Sequence, residues 1–477
     1  MLDKIAEING SVNGVVWGIF GLALLIGTGV ITTICTKVFQ VSHIGHWWKE
    51  TIGSMFKKDV ISHSKEKGSI SPFQALCTAL AATIGVGNIA GVAAAIVIGG
   101  PGAVFWMWVA AFFGMMTNFS ENVLGIYYRR KNELGEWAGG PMYYLRDGLG
   151  SKKNCRNLGK VLAVLFSIFA ILASFGIGNM GQVNKITINI ESAFFSNAPE
   201  YKIGNIPLIP LLIGVALMIV GALIIIGGLQ RIAATAEKIV PFMAVTYVVG
   251  CIIVLAVNID QIGAMFAAIF KFAFGVKAVG GAAVGIVFKE VVTQGFKRGV
   301  FSNEAGLGSA PIAAATVKTD EPVAQGLVSM TGTVIDTLII CTMTGLSILV
   351  TGTWNIGLEG VNVTIAAFQA GLPFPATVSS FILMMCLVFF AFTTILGWDY
   401  YSERCMEYIV GDKPKVIKAF RWTYILAICI GPYMTVSAVW TIADIFNGLM
   451  AFPNLIALVA LSGVVVAETK KYFDKQK

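Results

Sequence analysis

The sequence predicts an all-α polytopic membrane protein: two inverted five-helix halves preceded by one extra N-terminal transmembrane helix, eleven spans in all. Three observations carry this. Of the 477 residues 56% are hydrophobic and only 13% charged, with a mean hydropathy of +0.78, where soluble domains run near 25% charged. The apolar runs are long enough to cross a bilayer, which takes about 20 residues per helix. Two of them, at about 72–98 and 266–296, are interrupted by glycines, each of which disfavours helix by roughly 1 kcal/mol relative to alanine. Such backbone is tolerated at membrane depth only against protein or a water-filled cavity. A pair of Gly-broken spans at corresponding places in two halves marks the binding site of a secondary transporter.

The first span covers about 15–35. The N-terminal Met1-Leu-Asp-Lys-Ile-Ala-Glu7 has neither a basic n-region nor a small-residue cleavage site, so no removed signal peptide is expected. In the polar stretch 37–71, Val41, Ile44, Trp47, Trp48, Ile52, Met55 and Phe56 recur at three- and four-residue spacing. Two roles are open to it: an interfacial helix among lipid headgroups, or a helix covering one mouth of the bundle. The division follows: 1–70 an N-terminal helix and interfacial segment, 71–258 the first half, 259–468 the second, 469–477 a tail.

The first half opens on the broken span 72–98, whose weakest part is Gly85-Val-Gly-Asn88. The turn Gly99-Gly-Pro-Gly102 is too short for a domain, so the span at 103–128 returns antiparallel. Spans at 161–194, 207–227 and 239–257 complete this half. In the second, 266–296 carries Lys271, Lys277, Lys289 and Glu290 and is broken at Gly280, Gly281 and Gly285. It is a poor span by hydropathy, as expected of a helix that partly faces protein and water. A loop from Lys297 to Pro322 leads to spans at 323–350, 377–402, 419–441 and 446–467. Because five is odd, the two halves enter the membrane from opposite sides.

The net charge is +8, and 28 of the 34 Lys and Arg fall in one set of alternate loops. The positive-inside rule makes that set cytoplasmic. The expectation is a multi-pass protein of the cell membrane with its C-terminus inside and its N-terminus outside. The basic residues form no domain that could hold nucleic acid. Eight scattered Cys without a C-x-x-C pair read as free thiols. The three His (43, 46, 63) share one charged loop. No Ser/His/Asp set, metal cluster or phosphate loop occurs at a shared depth, so neither an enzyme nor a cofactor is expected. Gly85-x-Gly87-x-x-x-Gly91 is not a dinucleotide fingerprint. No ring of charges suggests a channel filter.

An amino-acid zwitterion in a membrane needs partners at both ends. Half-helix N-termini suit a carboxylate, and half-helix carbonyls suit an ammonium or Na⁺. The stretch Thr83 to Gly87 offers both, while Gly87-x-x-x-Gly91 also fits a packing face. Asn179 and Gln182 share a helix face; substrate recognition and interhelical hydrogen bonding are both open to them. Thr393 and Thr394 either bond back to their own helix or, with free carbonyls, make a neutral oxygen site for a hard monovalent cation. Trp398 walls a pocket or anchors at the interface. The intramembrane acids Glu121, Glu237, Glu290, Asp336 and Asp399 are functional by default, in cation coupling or in structural pairs and gates.

Gly99-Gly-Pro-Gly-Ala-Val-Phe-Trp-Met-Trp-Val-Ala-Ala-Phe-Phe-Gly114 resembles the signature of the sodium:alanine/glycine symporter family. So do Phe301-Ser-Asn-Glu-Ala-Gly-Leu-Gly-Ser-Ala-Pro311, Glu237-Lys-Ile-Val-Pro-Phe-Met243 and Asp336-Thr-Leu-Ile-Ile-Cys-Thr342. The resemblance spans nearly the whole chain. It implies the inverted-repeat LeuT fold with one extra N-terminal helix, and symport of alanine, glycine or both with Na⁺ as the co-transported ion. It further implies sodium ligands from the Ala81, Ile84 and Phe390 carbonyls and the Thr393 and Thr394 hydroxyls. Substrate contacts would come from Thr83, Gly85, Gly87, Gly280 and Gly281, with Trp398 favouring small side chains. The span 239–257 lacks the lysine that replaces sodium in some relatives, which favours Na⁺ over a proton. Asn88 resembles a ligand of a second sodium site elsewhere in the superfamily.

Overall fold

The long apolar runs fold as helices in the computed structural model, which describes residues 2–51, 53, 69–132, 135–195, 199, 201–274, 288–411, 413–434 and 437–475. Helices α1 (Leu2–Val16) and α2 (Ile19–Cys35) form the N-terminal hydrophobic segment. Two short helices, Phe39–Ser42 and Ile44–Glu50, follow. Trp47 is buried, its indole N–H on the Gln40 carbonyl at 3.0 Å, while Trp48 is half exposed. One ring thus faces protein and one faces outward; Ile52, Met55 and Phe56 lie outside the described residues.

Helix α3 (Pro72–Thr83) begins on a capping box. Ser71 Oγ accepts the Gln74 N–H and Gln74 Oε1 accepts the Ser71 N–H, both at 3.1 Å; a cap of this kind stabilises by about 0.5–2 kcal/mol. The helix stops at Ile84, where ψ is 93°. After the break the chain resumes, bent by 54° from α3, as a π-helical turn, Gly87–Gly91, that leads into α4 (Val92–Gly99). Helix α5 (Gly102–Tyr127) returns, and α6 (Arg156–Ala173) passes through another π-helical stretch, Ser174–Met180, into α7 (Gly181–Phe194). Helices α8 (Leu208–Ile225) and α9 (Gly228–Val257) complete five spans.

Helix α10 (Ile259–Ala273) intervenes before a second set. It opens on α11 (Phe288–Asn303), unwinds over 304–309 and resumes as α12 (Ala310–Ala314). Helix α13 (Pro322–Thr333) runs through a further π-helical stretch, Val334–Cys341, into α14 (Thr342–Val350). Then come α15 (Val361–Gly371), α16 (Ala376–Val410), α17 (Pro414–Ile430) and α18 (Ser437–Asp474). Among the described residues eight helices are long and apolar enough to cross a membrane, nine with the bent α3–α4 pair. The 17-residue α17 and the interrupted α11–α12 pair are the two further membrane-sized segments.

Among the described residues the second break lies beyond the glycines that suggested one. Within 266–296 the described residues form α10 up to Ala273 and α11 from Phe288. Gly280, Gly281 and Gly285 lie outside the described residues. The unwound segment falls instead inside the stretch read as a loop, Lys297 to Pro322. There Glu304, Gly306 and Gly308 have φ of 56°, 93° and 84°, a left-handed region that side chains rarely adopt. Pro311 restarts the helix in the first turn of α12. Lys289 and Glu290 make the first part of α11 a poor span in sequence, and Lys297 and Arg298 make its later part look like loop, yet the helix packs on α4 and α5.

The two interrupted helices run antiparallel, side by side. Just before α3, the Ile70 N–H donates to the Thr316 carbonyl and the Ile70 carbonyl accepts the Lys318 N–H, each at 3.2 Å. Midway, a β-carbon on Gly87 would lie 3.5 Å from Phe301, and at the far end one on Gly99 would lie 3.1 Å from Gln294. This register brings both breaks to one level. At the end of the bundle where α16 finishes, Arg421 pairs with Glu403 (2.6 and 2.7 Å), and Arg404 bridges Glu136 (2.9 Å) and Glu407 (2.8 Å).

Candidate functional site

At the first break the helix ladder is diverted. The Gly85 N–H, next in line for the Ala81 carbonyl, donates instead to Asn88 Oδ1 at 2.9 Å. The carbonyls of the last turn of α3 are thereby freed at the negative end of a helix. Helix α16 closes against this end. Thr394 Oγ1 lies 2.7 Å from where a Gly85 β-carbon would be, and Ala82 Cβ lies 2.8 Å from where one on Gly397 would be. Thr393 donates to the carbonyls of Phe389 (3.0 Å) and Phe390 (3.1 Å), and Thr394 to that of Phe390 (2.9 Å). Back-bonding uses the hydroxyl protons and leaves the oxygen lone pairs available, so it does not exclude a cation at the same oxygens. The Phe390 carbonyl already accepts both hydroxyls. Ala81, Ile84, Thr393 and Thr394 are buried, and their oxygens are neutral, a set suited to a hard monovalent cation.

Beside this oxygen cluster lies a cavity of about 20 Å³, lined by Ala82, Thr83, Gly85, Gly87, Ile177, Gln182, Phe301, Glu304, Thr394 and Trp398. One water needs about 10–15 Å³ on this measure, so the space is small. Gln182 Nε2 donates to the Ile177 carbonyl at 3.1 Å, and its Oε1, buried, has no hydrogen-bond partner among the described residues. That amide oxygen is an acceptor in waiting. Trp398 forms one wall; its indole N–H donates to Glu304 Oε1 at 3.1 Å, and Ser309 Oγ donates to the other carboxyl oxygen. The indole is seated by Gly178, where a β-carbon would come within 2.5 Å of Trp398 Cβ and Cγ.

Two buried acids hold the breaks together. Asp336, in the π-helical stretch after α13, accepts from Asn88 Nδ2 (2.6 Å) at the first break. It also accepts from Ser302 Oγ (2.8 Å), beside the second, and from Thr337 Oγ1 (2.8 Å). Asn88 thus serves as a strut between helices, its Oδ1 on Gly85 and its amide on Asp336. Glu121 on α5 accepts from Asn454 Nδ2, which also donates to the Gly306 carbonyl at 2.9 Å. Tyr144 OH donates to Asn454 Oδ1.

Thr83, Gly85, Gly87, Gln182, Thr394 and Trp398 therefore meet around one cavity, with Ala81, Ile84, Phe390 and Thr393 directly behind it. Asn179 does not reach it: its Nδ2 donates to the Tyr424 carbonyl on α17 at 2.9 Å, an interhelical bond. Phe301 and Glu304 line the cavity without having been singled out as site residues. The Gly306-x-Gly308 spacing before Pro311 was the available signal.

Comparison with known proteins follows the same lines. Residues 2–477 match the sodium:alanine symporter family. The sodium/alanine symporter AgcS of Methanococcus maripaludis is 45% identical over 482 residues, covering 100% of this chain and 99% of AgcS. The probable sodium/glutamine symporter GlnT of Bacillus subtilis is 38% identical over 479 residues, covering 100% of this chain and 92% of GlnT. Among solved structures, MhsT in complex with L-phenylalanine superimposes with a TM-score of 0.53 at 13% identity, covering 84% of this chain and 98% of MhsT. The fold is therefore the LeuT-like one. A family match along the whole chain and relatives of this identity and coverage lead to one conclusion: the chain belongs to the sodium:alanine symporter family, a family of membrane transporters rather than enzymes.

Proposed function

We propose that this chain imports alanine, glycine or both with Na⁺ by alternating access across the cell membrane. The observation that carries the proposal is the cavity between the two breaks. It has an amide oxygen at Gln182 without a partner among the described residues for an ammonium, backbone without a β-carbon at Gly85 and Gly87 for the close approach of a carboxylate, and neutral oxygens at Thr394 and the end of α3 for the cation. Its small volume and the Trp398 wall favour a side chain of one methyl or none over a carboxamide of glutamine size. Sodium and substrate then share the first break, and binding of each favours the closed arrangement that the other needs. The charge asymmetry of the loops supports a cytoplasmic C-terminus and an outside N-terminus.

Uptake of labelled alanine into proteoliposomes, with and without an inward Na⁺ gradient, tests this. Accumulation that collapses without Na⁺ is expected. Accumulation driven equally by a proton gradient in Na⁺-free buffer would overturn sodium coupling. The cation site has its own test. Thr393→Val with Thr394→Val should lower the apparent Na⁺ affinity by roughly tenfold or more, a tenfold step being about 1.4 kcal/mol, while membrane insertion is unchanged. An unaltered Na⁺ dependence in that double variant would place the cation elsewhere.

A further inference from the structure

The junction of α8 with α9 and the facing ends of α16 and α17 enclose a cavity of about 460 Å³. It lies at the end of the bundle that the loop charges assign to the cytoplasm. Part of its lining is apolar: Ile226 and Leu229 from the α8–α9 junction, Ile417 and Trp422 from α17. Three carboxylates line it, and each is already held. Arg421 grips Glu403 through both oxygens, and Glu136 and Glu407 share Arg404. Two further cations stand here without a carboxylate partner among the described residues. Lys418, exposed, is part of the lining. Arg231, also exposed, lies against Gly227 of the lining, its Nη1 donating to the Leu223 carbonyl at 2.6 Å. Four cations thus meet three carboxylates, and the surplus is positive.

Ile226 and Trp422 carry the lining onto the outer face of the bundle. There α8 packs along α17, so closely that a β-carbon on Gly221 would lie 3.0 Å from Ile428 Cδ1. Ile226, Leu223 and Ile219 are exposed on one side of this seam, and Trp422, Leu426 and Ile430 on the other, both sets at helical spacing. Along α17 the exposed residues Lys418, Trp422, Leu426 and Ile430 follow at intervals of four. An ammonium, an indole and two alkyl side chains in that order match headgroup, interface and hydrocarbon.

We propose that this cavity binds one anionic phospholipid of the cytoplasmic leaflet. Lys418 and Arg231 take the phosphate in charge-assisted hydrogen bonds, and the acyl chains lie along the two exposed apolar stripes. A free phosphate offers the same charge but leaves the apolar lining and the stripes uncovered, so the lipid is the occupant. The bound lipid ties the α8–α9 junction of the first half to α16 and α17 of the second. The site is separate from the cavity between the two breaks, and it does not depend on which solute is carried.

Native mass spectrometry of the purified chain tests it. Taken from bilayers of phosphatidylglycerol and phosphatidylethanolamine, the wild type should keep a phosphatidylglycerol through detergent washes that strip phosphatidylethanolamine. Lys418→Gln with Arg231→Gln should weaken that retention by roughly tenfold or more, the scale of two basic side chains near a membrane surface. Lys153→Gln with Lys160→Gln removes the same charge from exposed positions in the same set of loops, outside the cavity, and should leave the lipid bound. A wild type that holds the two lipids alike overturns the site, and so does full retention in the Lys418 and Arg231 double variant. Equal loss in both double variants assigns the effect to surface charge at large and overturns it as well. Displacement of the lipid by millimolar inorganic phosphate, with phosphate bound in its place, would make this a free-anion site and overturn the lipid assignment.

Discussion

Replacing Gly178 by alanine is expected to cost this transporter most of the alanine uptake proposed for it while the bundle stays folded. The added methyl would fall 2.5 Å from both Cβ and Cγ of Trp398, so the indole must move. It is 1% exposed, tethered to Glu304 and edge-on to Tyr401 with ring centroids 6.0 Å apart. The open space beside it is the cavity of about 20 Å³. A methyl of overpacking costs about 1–3 kcal/mol. If the ring relieves it by entering the cavity, the loss appears as a five- to 150-fold rise in alanine KM rather than in stability, at about 1.4 kcal/mol per tenfold. Counterflow of labelled alanine together with the melting temperature of the purified variant separates the two. Wild-type KM in Gly178→Ala would show that Trp398 does not bound the substrate space.

Asp336→Ala should abolish transport by a different route. The change strips the acceptor from Asn88, Ser302 and Thr337, all buried. Asn88 keeps the Asp336 main-chain carbonyl at 3.3 Å, and a buried donor left unsatisfied costs about 1–3 kcal/mol, so the loss of the two hydroxyl acceptors alone costs about 2–6 kcal/mol. The damage falls on both breaks at once, since Asn88 also fixes the Gly85 N–H. Asp336→Asn keeps the shape and one acceptor, and the two hydroxyls can turn to accept from its amide. It should retain most of the stability and part of the uptake. A melting temperature for Asp336→Ala equal to wild type would show that the network does not bear on the fold.

The first break was legible because Gly85-Val-Gly-Asn88 sits within an otherwise apolar run, and the structure unwinds the chain there. The second was not, because two signals pointed away from it. Gly280 and Gly281 are denser in glycine, and the four charges of α11 masked a membrane-embedded helix. Charge is a poor guide where a helix packs against protein rather than lipid, and Glu304 at positive φ has no composition signature. Gln182 and Trp398 could be nominated from their depth in a span. Which of Asn179 and Gln182 faces the cavity could not, because the π-helical stretch 174–180 shifts the helical phase on which that inference depends. The struts Asn88–Asp336 and Glu121–Asn454 join residues more than 240 positions apart, and no local pattern encodes them.

Those π-helical stretches bear on how fast such a bundle can work. Gly87–Gly91, Ser174–Met180 and Val334–Cys341 each hold a buried amide or carboxyl side chain, Asn88, Asn179 and Asp336. A wide turn carries one surplus residue, and it can migrate along its helix by trading i→i+5 for i→i+4 hydrogen bonds one at a time. Each step rotates what lies beyond by about 100° and advances it by about 1.5 Å, with no backbone group left bare to the bilayer. A rocking motion assembled from such steps need never melt a helix. The activation barrier is then set by repacking of side chains rather than by rupture of the backbone ladder.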